Sequence, residues 1–333
     1  MLRFFPAERE VRNEEYQPKK FVKTLNPFLE VERESWKPIK LEGNLPPKIV
    51  FIDGVRRTEY RVEIFDGNRF AGEGIFISIG AGALLIDRSL GRADYKLLYR
   101  DVKRYFIHNA KGVKVPPRWE TTVGETKLVF ETKESPMENV SDYANAVMKK
   151  MELEVLRKVH SPDTFVVADG PTKTTKFFPN VVYLVKESRY FYLQGLEEVL
   201  FNLKKGERTP LFLFEEEVKR TKGGKTEEVK VKKVGCYVRL AQVHPQMVVE
   251  NPLAGIARLE VPHGGDLKLI KEIMEKGASV AVYFANDPLR DRRSPQNLTA
   301  IAVLEKELRR LLGKYELIRR RVGITLLSLL GGD

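Results

Sequence analysis

The sequence predicts an α/β fold, a mixed sheet flanked by helices, and three observations carry that prediction. Residues 48–53 and 164–169 are apolar runs of strand length, and each ends in Asp-Gly. Between them lies a long run with apolar residues at helical spacing. In the second half of the chain, strand patterns alternate with helix patterns, the order expected where helices pack on a sheet.

Residues 1–46 are polar and charged with scattered prolines, and read as an irregular N-terminal arm whose Phe21, Phe28 and Trp36 pack on the main body or on a partner. Strands are expected at 48–53, 60–65 and 75–86, with Asp66-Gly67-Asn68 as a hairpin turn, so three consecutive antiparallel strands open the core. Residues 88–125 are mixed, and 127–131 add a strand. Val140, Tyr143, Ala144, Val147, Met148, Met151, Val155 and Val159 define a helix that Pro162 ends. Strands at 164–169 and 181–185 follow, then a helix over 193–203. Two strands, 211–214 and 231–240, bracket a charged hairpin tip at 217–232 that contains Gly223-Gly224. A strand at 256–261, a helix at 266–276, a strand at 279–284 and an amphipathic helix at 296–312 complete the body. The C-terminal tail, 316–333, turns apolar at 324–330, a surface that docks on a partner or packs on its own core.

Bulk properties narrow the function. The 333 residues include 58 Lys+Arg against 46 Asp+Glu, a formal net charge of +12, which favours a polyanionic partner through attraction and counterion release. The single cysteine, Cys236, forms neither an internal disulfide nor a zinc site, which points to a reducing, cytoplasmic compartment. The N-terminal residues run straight into charge, unlike a signal peptide, and no apolar run approaches the roughly 20 residues a membrane span needs. A phosphate-binding Gly-x-x-x-x-Gly-Lys-Ser/Thr loop is missing, which excludes an ATP motor of that type.

The chemistry lies in the carboxylates. If the strands ending at Asp53 and Asp169 lie parallel and adjacent, both acids reach one edge of the sheet, and each following glycine permits a sharp turn. Two such acids repel each other unless a divalent cation neutralises them. Mg²⁺ and Mn²⁺ take oxygen ligands and keep open positions for phosphate. Two ions about 3.5–4 Å apart suit phosphodiester hydrolysis. A third carboxylate is expected from the helix before Asp169, where Glu152 at the edge of the apolar stripe is favoured over Glu154 on the opposite flank. Lys186, at the end of the strand after Asp169, is placed to contact the scissile phosphate. Arg56 and Arg57 follow Asp53 closely and suit bidentate phosphate contacts.

Three antiparallel strands with Asp on the first, a helix carrying Glu, then a parallel strand ending in Asp is the plan of the ribonuclease-H fold. The fold class expected is therefore a ribonuclease-H-like mixed sheet flanked by helices, with a hairpin insertion and the irregular arm.

From about residue 48 to residue 315 the sequence also resembles the NurA nuclease family. The residues that carry the resemblance are Asp53-Gly54 with Arg56-Arg57 close by, the Glu-bearing helix, Val166-Val167-Ala168-Asp169-Gly170-Pro171, and the strand 182–186 ending in Lys. Tyr237-Val238-Arg239-Leu240 and Ala257-Arg258-Leu259-Glu260-Val261-Pro262 continue it. Its clearest mark is Arg293-Ser294-Pro295-Gln296-Asn297-Leu298, opening a helix with Ile301, Leu304-Glu305 and Leu308-Arg309. The resemblance implies a nuclease domain at 47–315 that uses Mn²⁺ or Mg²⁺, two ions in all, to cut DNA as a 5′-to-3′ exonuclease and single-strand endonuclease. It implies a homodimer working with a hexameric HerA-type ATPase in DNA end resection, double-strand break repair and homologous recombination. Asp53, Glu152 and Asp169 would be its metal ligands and Lys186 a catalytic residue, with Arg293, Gln296 and Asn297 joining Arg56 and Arg57 on the DNA. Some members carry a late histidine in the site. Here no histidine follows Asp266, so that position falls to Asp291, Gln296 or Asn297 or is missing. The competing expectation is a non-catalytic ribonuclease-H-like module that binds DNA or scaffolds an ATPase.

Overall fold

The computed structural model describes residues 2–6, 20–21, 24–91, 93–186, 190–222, 225–242, 253–287 and 294–330. Three short strands, β1 (Leu2–Pro6), β2 (Lys20–Phe21) and β3 (Ile39–Lys40), precede the two longest, β4 (Lys48–Asp66) and β5 (Arg69–Asp87). β4 and β5 have 19 residues each and pair antiparallel through a turn whose Gly67 has φ 60°, a conformation glycine adopts without steric cost. They fill the centre of the sheet, where residues 49–52 of β4 and 74–84 of β5 are buried on both faces, and this explains the near-continuous apolar sequence of those two stretches.

This layout corrects the expected three strands at 48–53, 60–65 and 75–86. The first two are one strand, because the ladder runs straight through Asp53 and Gly54, paired with Gly82 and Ala81. A register shift between Thr58 and Tyr60 bends the long strand without ending it. The third antiparallel strand is β6 (Asp94–His108), inside the stretch without a clear period, followed by β7 (Arg118–Val123) and β8 (Thr126–Glu134).

Helix α1 (Val140–Val159) starts at Asn139, whose side chain accepts from the backbone N–H groups of Ser141 and Asp142. Its buried face, Val140, Ala144, Met151, Val155 and Leu156, packs on Val50, Ile52, Ile77 and Val166. Strand β9 (Phe165–Asp169) lies parallel to β4, the arrangement that sets the two Asp-Gly aspartates side by side, and β10 (Val181–Val185) lies parallel to β9. Beyond them come β11 (Tyr190–Phe191), α2 (Glu198–Asn202), β12 (Glu207–Arg208), β13 (Phe212–Lys222), β14 (Lys225–Arg239) and β15 (Ile256–Pro262). α2 is shorter than the helix expected over 193–203. β13 and β14 form the expected hairpin, with Gly223-Gly224 outside the described residues.

Three helices close the chain: α3 (Leu267–Phe284), α4 (Thr299–Leu311) and α5 (Tyr315–Leu330). α3 absorbs residues 279–284, expected as a strand. A short apolar run does not distinguish the two states, and here Ile270, Ile273, Met274, Ala278 and Ala281 bury at helical spacing, with Gly277 against Val182. α5 takes up the apolar tail and lays Ile318, Val322 and Leu326 on Phe4, Val62, Phe76 and Trp119 of its own sheet.

The strand order is β3-β12-β14-β15-β10-β9-β4-β5-β6-β8-β7, with β1 added to β4 and β13 to β14. The sheet is mixed: β4–β9, β9–β10 and β6–β8 are parallel and its other pairs antiparallel. α1 covers one face, and α3 and α4 cover the other. The N-terminal arm is less irregular than expected, since β1 joins the sheet. Glu30 is pinned by Arg208, 1% exposed, which also pairs with Glu275 of α3. Among the described residues no helix is long and apolar enough to cross a membrane.

Leu304 of α4 is fully buried against the central strands. Leu304→Ala should destabilise the fold by about 2–5 kcal/mol, since the surrounding core only partly collapses into the void. Urea denaturation read by circular dichroism checks the size of the loss.

Candidate metal centre

The site forms where β4 and β9 run parallel in the middle of the sheet. Their register pairs Ile52 with Ala168, so Asp53 and Asp169 follow side by side. Alternation turns both carboxylates towards α4, the face on which Ile49, Phe51, Phe165 and Val167 also lie. Asp53 is not at a strand tip, as the Asp-Gly pattern suggests, but within a continuous ladder and only 3% exposed. Its position is therefore fixed more firmly than a turn would fix it.

Helix α4 supplies a third acid, Glu305. One carboxylate oxygen from each of Asp53, Asp169 and Glu305 lies within 4.8 Å of the others. Lys186, just beyond the end of β10, faces this group, with Nζ 2.8 Å from Asp169 Oδ2 and 3.9 Å from Glu305 Oε1. Asp53 Oδ2 and Asp169 Oδ1 are buried and have no hydrogen-bond donor. Native interiors rarely leave such oxygens unsatisfied, because each costs about 1–3 kcal/mol or more when charged. Three clustered acids, two orphaned oxygens and one lysine make a donor set that fits a hard divalent cation.

Electrostatics agree with that geometry. Burial, with Asp169 and Glu152 nearby, raises the Asp53 carboxyl well above the ordinary aspartate range. Burial works to lower the Lys186 ammonium, but the neighbouring acids, Asp169 first, carry it above its usual value.

Glu152, the favoured third ligand, takes a different place. It sits on α1, on the opposite side of the sheet from α4. A Cβ on Gly54 would come within 2.6 Å of Glu152 Oε1, so only glycine lets α1 seat this carboxylate against β4. Glu152 Oε2 accepts from Lys149 Nζ at 2.7 Å, and the same ammonium donates to the backbone carbonyl of Asp169 at 2.9 Å. Gly170 makes room for it. Its φ is 82°, and a Cβ there would stand 2.9 Å from Lys149 Nζ. Gly54 and Gly170, which follow the two aspartates of the site, thus each receive one member of the Lys149–Glu152 pair.

Other expected residues fall outside the cluster. Glu154 points to the α1–β6 side, 3.9 Å from Lys103. Arg57 is committed to Glu59 at 2.8 Å and to the carbonyls of Leu312 and Gly313, which tie β4 to the α4–α5 junction. Arg56 is half-buried three residues past Asp53. Gln296 is buried and donates to the carbonyl of Ile256 at 3.1 Å, fixing the entry to α4 onto β15, while Asn297 is half-buried in the same turn. Asp291 and Arg293 lie outside the described residues. Two residues not singled out from sequence, Glu305 and Lys149, thus join Asp53, Asp169, Lys186 and Glu152.

An open groove of about 1220 Å³ runs along α1 to Glu152 and Asp169. Lys149, Lys150 and Lys173 line it together with Glu138 and Asp142, facing the β13 wall at Glu216–Val218.

No protein-family model and no curated protein matches this chain. Among solved structures it is similar to the NurA nuclease from Sulfolobus solfataricus, over 76% of this chain and 79% of that one, at 14% identity and a TM-score of 0.39. A likeness of that size leaves the chemistry to be decided by the site itself.

Burial pushes the Glu152 carboxyl up to about 7 against the opposing pull of Lys149. A carboxyl whose folded value lies above its unfolded value holds its proton better when folded, so it favours the native state at low pH. That advantage should fade as pH rises from the ordinary 4.5 to about 7, with Asp53 adding in the same direction. The loss amounts to at most about 1.4 kcal/mol for each pH step and each carboxyl. Urea melts of metal-free protein across this window should show stability falling, and Glu152→Gln should flatten the slope. An unchanged slope in the variant would place the titration elsewhere.

Proposed function

We propose that this protein is a Mg²⁺- or Mn²⁺-dependent DNA nuclease with a ribonuclease-H-like active site. The observation that carries the reading is the convergence of Asp53, Asp169 and Glu305, with two of their oxygens buried and undonated. The net charge of +12 favours a polyanionic substrate, and the groove along α1 reaches the cluster at Asp169.

In this reading Asp53, Asp169 and Glu305 hold the cation. When bound, it supplies Lewis-acid polarisation of the phosphodiester and lowers the pKa of water to the working range. The chain's own groups do the rest. β4 and β9 fix the two aspartates on rigid backbone, so little reorganisation accompanies binding. Lys186 is placed to neutralise a non-bridging phosphate oxygen as it releases Asp169. Lys150 and Lys173 hold the backbone of the strand lying in the groove. Burial, then the adjacent Lys149, lowers Lys173, and a phosphate beside it would draw it back up.

The resemblance to NurA nucleases extends the proposal. It supports 5′-to-3′ exonuclease and single-strand endonuclease activity, and a cytoplasmic homodimer that resects DNA ends with a hexameric HerA-type ATPase. Gln296 and Asn297 then act by shaping the entry to α4, and Arg56 contacts the DNA backbone.

The test is incubation of purified protein with end-labelled single- and double-stranded DNA in Mn²⁺, Mg²⁺ or EDTA, beside Asp53→Asn. Cleavage should require metal and fall in the variant by more than the ~10–100-fold typical of residues that only support a ligand. The variant should keep its fold and its DNA affinity. Undiminished cleavage by Asp53→Asn would overturn the assignment, and binding without cleavage in every condition would favour a non-catalytic DNA-binding module.

A further inference from the structure

We infer that each chain binds a single divalent ion, and that the ammonium of Lys149 permanently fills the place of a second. The inference rests on the nuclease reading above and refines it, because the sequence leads to an expectation of two ions.

Two cation positions meet at Asp169. One is framed by the carboxylates of Asp53, Asp169 and Glu305, which among the described residues face Lys186 alone of the lysines in contact. Three acids face the Lys186 ammonium and, at the rim, the Arg309 guanidinium 3.7 Å from Glu305, so the group stays net negative when all are ionised, and Asp53 Oδ2 and Asp169 Oδ1 within it have no donor. One divalent ion meets that charge and those oxygens.

The second position lies on the α1 side, between Glu152 and the backbone carbonyl of Asp169. Those are the oxygens a second ion would take, and both already accept from Lys149 Nζ, at 2.7 and 2.9 Å. The balance of charge there is closer to even. Among the described residues Glu152 is the one acid paired with Lys149, and the negative field of Asp169 acts on it ahead of the positive field of Lys173. The ammonium meets the Glu152 charge through Oε2, while Oε1 is buried against Gly54 without a donor.

Chain geometry holds the lysine in place. Lys149 and Glu152 stand three residues apart on α1, so they share one helix face and move together. Gly170 supplies the cradle: its positive φ and missing Cβ let the ammonium approach the turn after Asp169, where a methyl group would stand 2.9 Å from Nζ. An ammonium there offers the charge and donor geometry of a cation without exchanging with solvent, and it lies on the groove where substrate phosphate would arrive.

Mn²⁺ titration by isothermal calorimetry, with bound metal counted after gel filtration, tests this apart from catalysis. The unaltered protein should bind one Mn²⁺ per chain. Lys149→Ala should bind two, and the double variant Lys149→Ala/Glu152→Gln should return to one. Lys149→Met, which keeps the aliphatic stem, replaces Lys149→Ala should the latter lose its circular dichroism spectrum. Two ions in the unaltered protein would overturn the inference while leaving the metal-centre reading intact. One ion in both the unaltered and single-variant proteins would show that the Glu152 position does not accept a cation, and would equally overturn it. A second ion that persists in the double variant would do the same. No bound ion in any form would sink the nuclease reading itself.

Discussion

Carboxylates gathered inside a sheet repel one another in a medium that screens them poorly, and the centre of this protein is arranged around that repulsion. Asp53 and Asp169 are held abreast by the β4–β9 register, and Glu305 is brought against them by α4. Burial and their mutual field raise Asp53, so the cluster holds protons or a cation more tightly than isolated acids would. Only a strongly bonded scaffold keeps such groups together. β4 and β5, ladder-paired along 19 residues each and covered on both faces, provide it, and the core under α4 locks the third acid in place. Lys186 and Lys149 neutralise part of the charge from opposite sides of the sheet.

The same logic extends outward through buried ion pairs. The loop that leaves Asp169 is fastened by Glu260, fully buried, which accepts from the Thr172 N–H at 2.9 Å. Burial alone would raise Glu260, yet Arg258 and Lys233, 2.8 Å away in each case, hold it below its ordinary range. Lys233 also pairs with Glu216, which lines the groove. One buried lysine therefore connects the β13 wall, β15 and the loop after Asp169. Buried pairs of this kind are poor sources of net stability but strong fixers of position, since losing one partner strands a charge. Placing them around the mouth of a groove specifies its width.

Parts of this are legible in the chain and parts are not, for physical reasons. The paired aspartates are legible because each closes an apolar strand pattern in Asp-Gly, and the parallel register of β4 and β9 agrees with the strand and helix order. The glycines after them read as turns. Gly170 does turn the chain, with φ 82°, but Gly54 lies mid-strand and is small because Glu152 needs the room. Sequence shows that a glycine is present and says nothing of which distant side chain comes against it. Glu305 reads as part of a helix pattern and not as a ligand. It sits beside a fully buried leucine and four residues before Arg309, at 3.7 Å, so locally it looks like any solvent-facing ion pair on an amphipathic helix. Lys149 is hidden in the same way by its i,i+3 spacing to Glu152. Periodicity locates a helix face, whereas the identity of the facing strand decides whether a charge on its border is exposed or becomes part of a site.

Asp169 is where the two halves of the site are joined, and its position explains why it ends a strand while Asp53 does not. Its side chain belongs to the α4 face, with Asp53, Glu305 and Lys186, while its carbonyl turns to Lys149 on the α1 face. A residue inside a central strand cannot divide itself this way, because both ladder neighbours claim its backbone groups. At the end of β9 the chain turns away at Gly170, and the Asp169 carbonyl is released from pairing to serve a side chain instead. The groove opens at the same point. Buried acids on one face are thereby reached from a channel on the other, through a single residue that both share. Asp53 provides a fixed carboxylate position and must stay within the ladder. Asp169 connects that charge to the channel and must stand where the ladder stops.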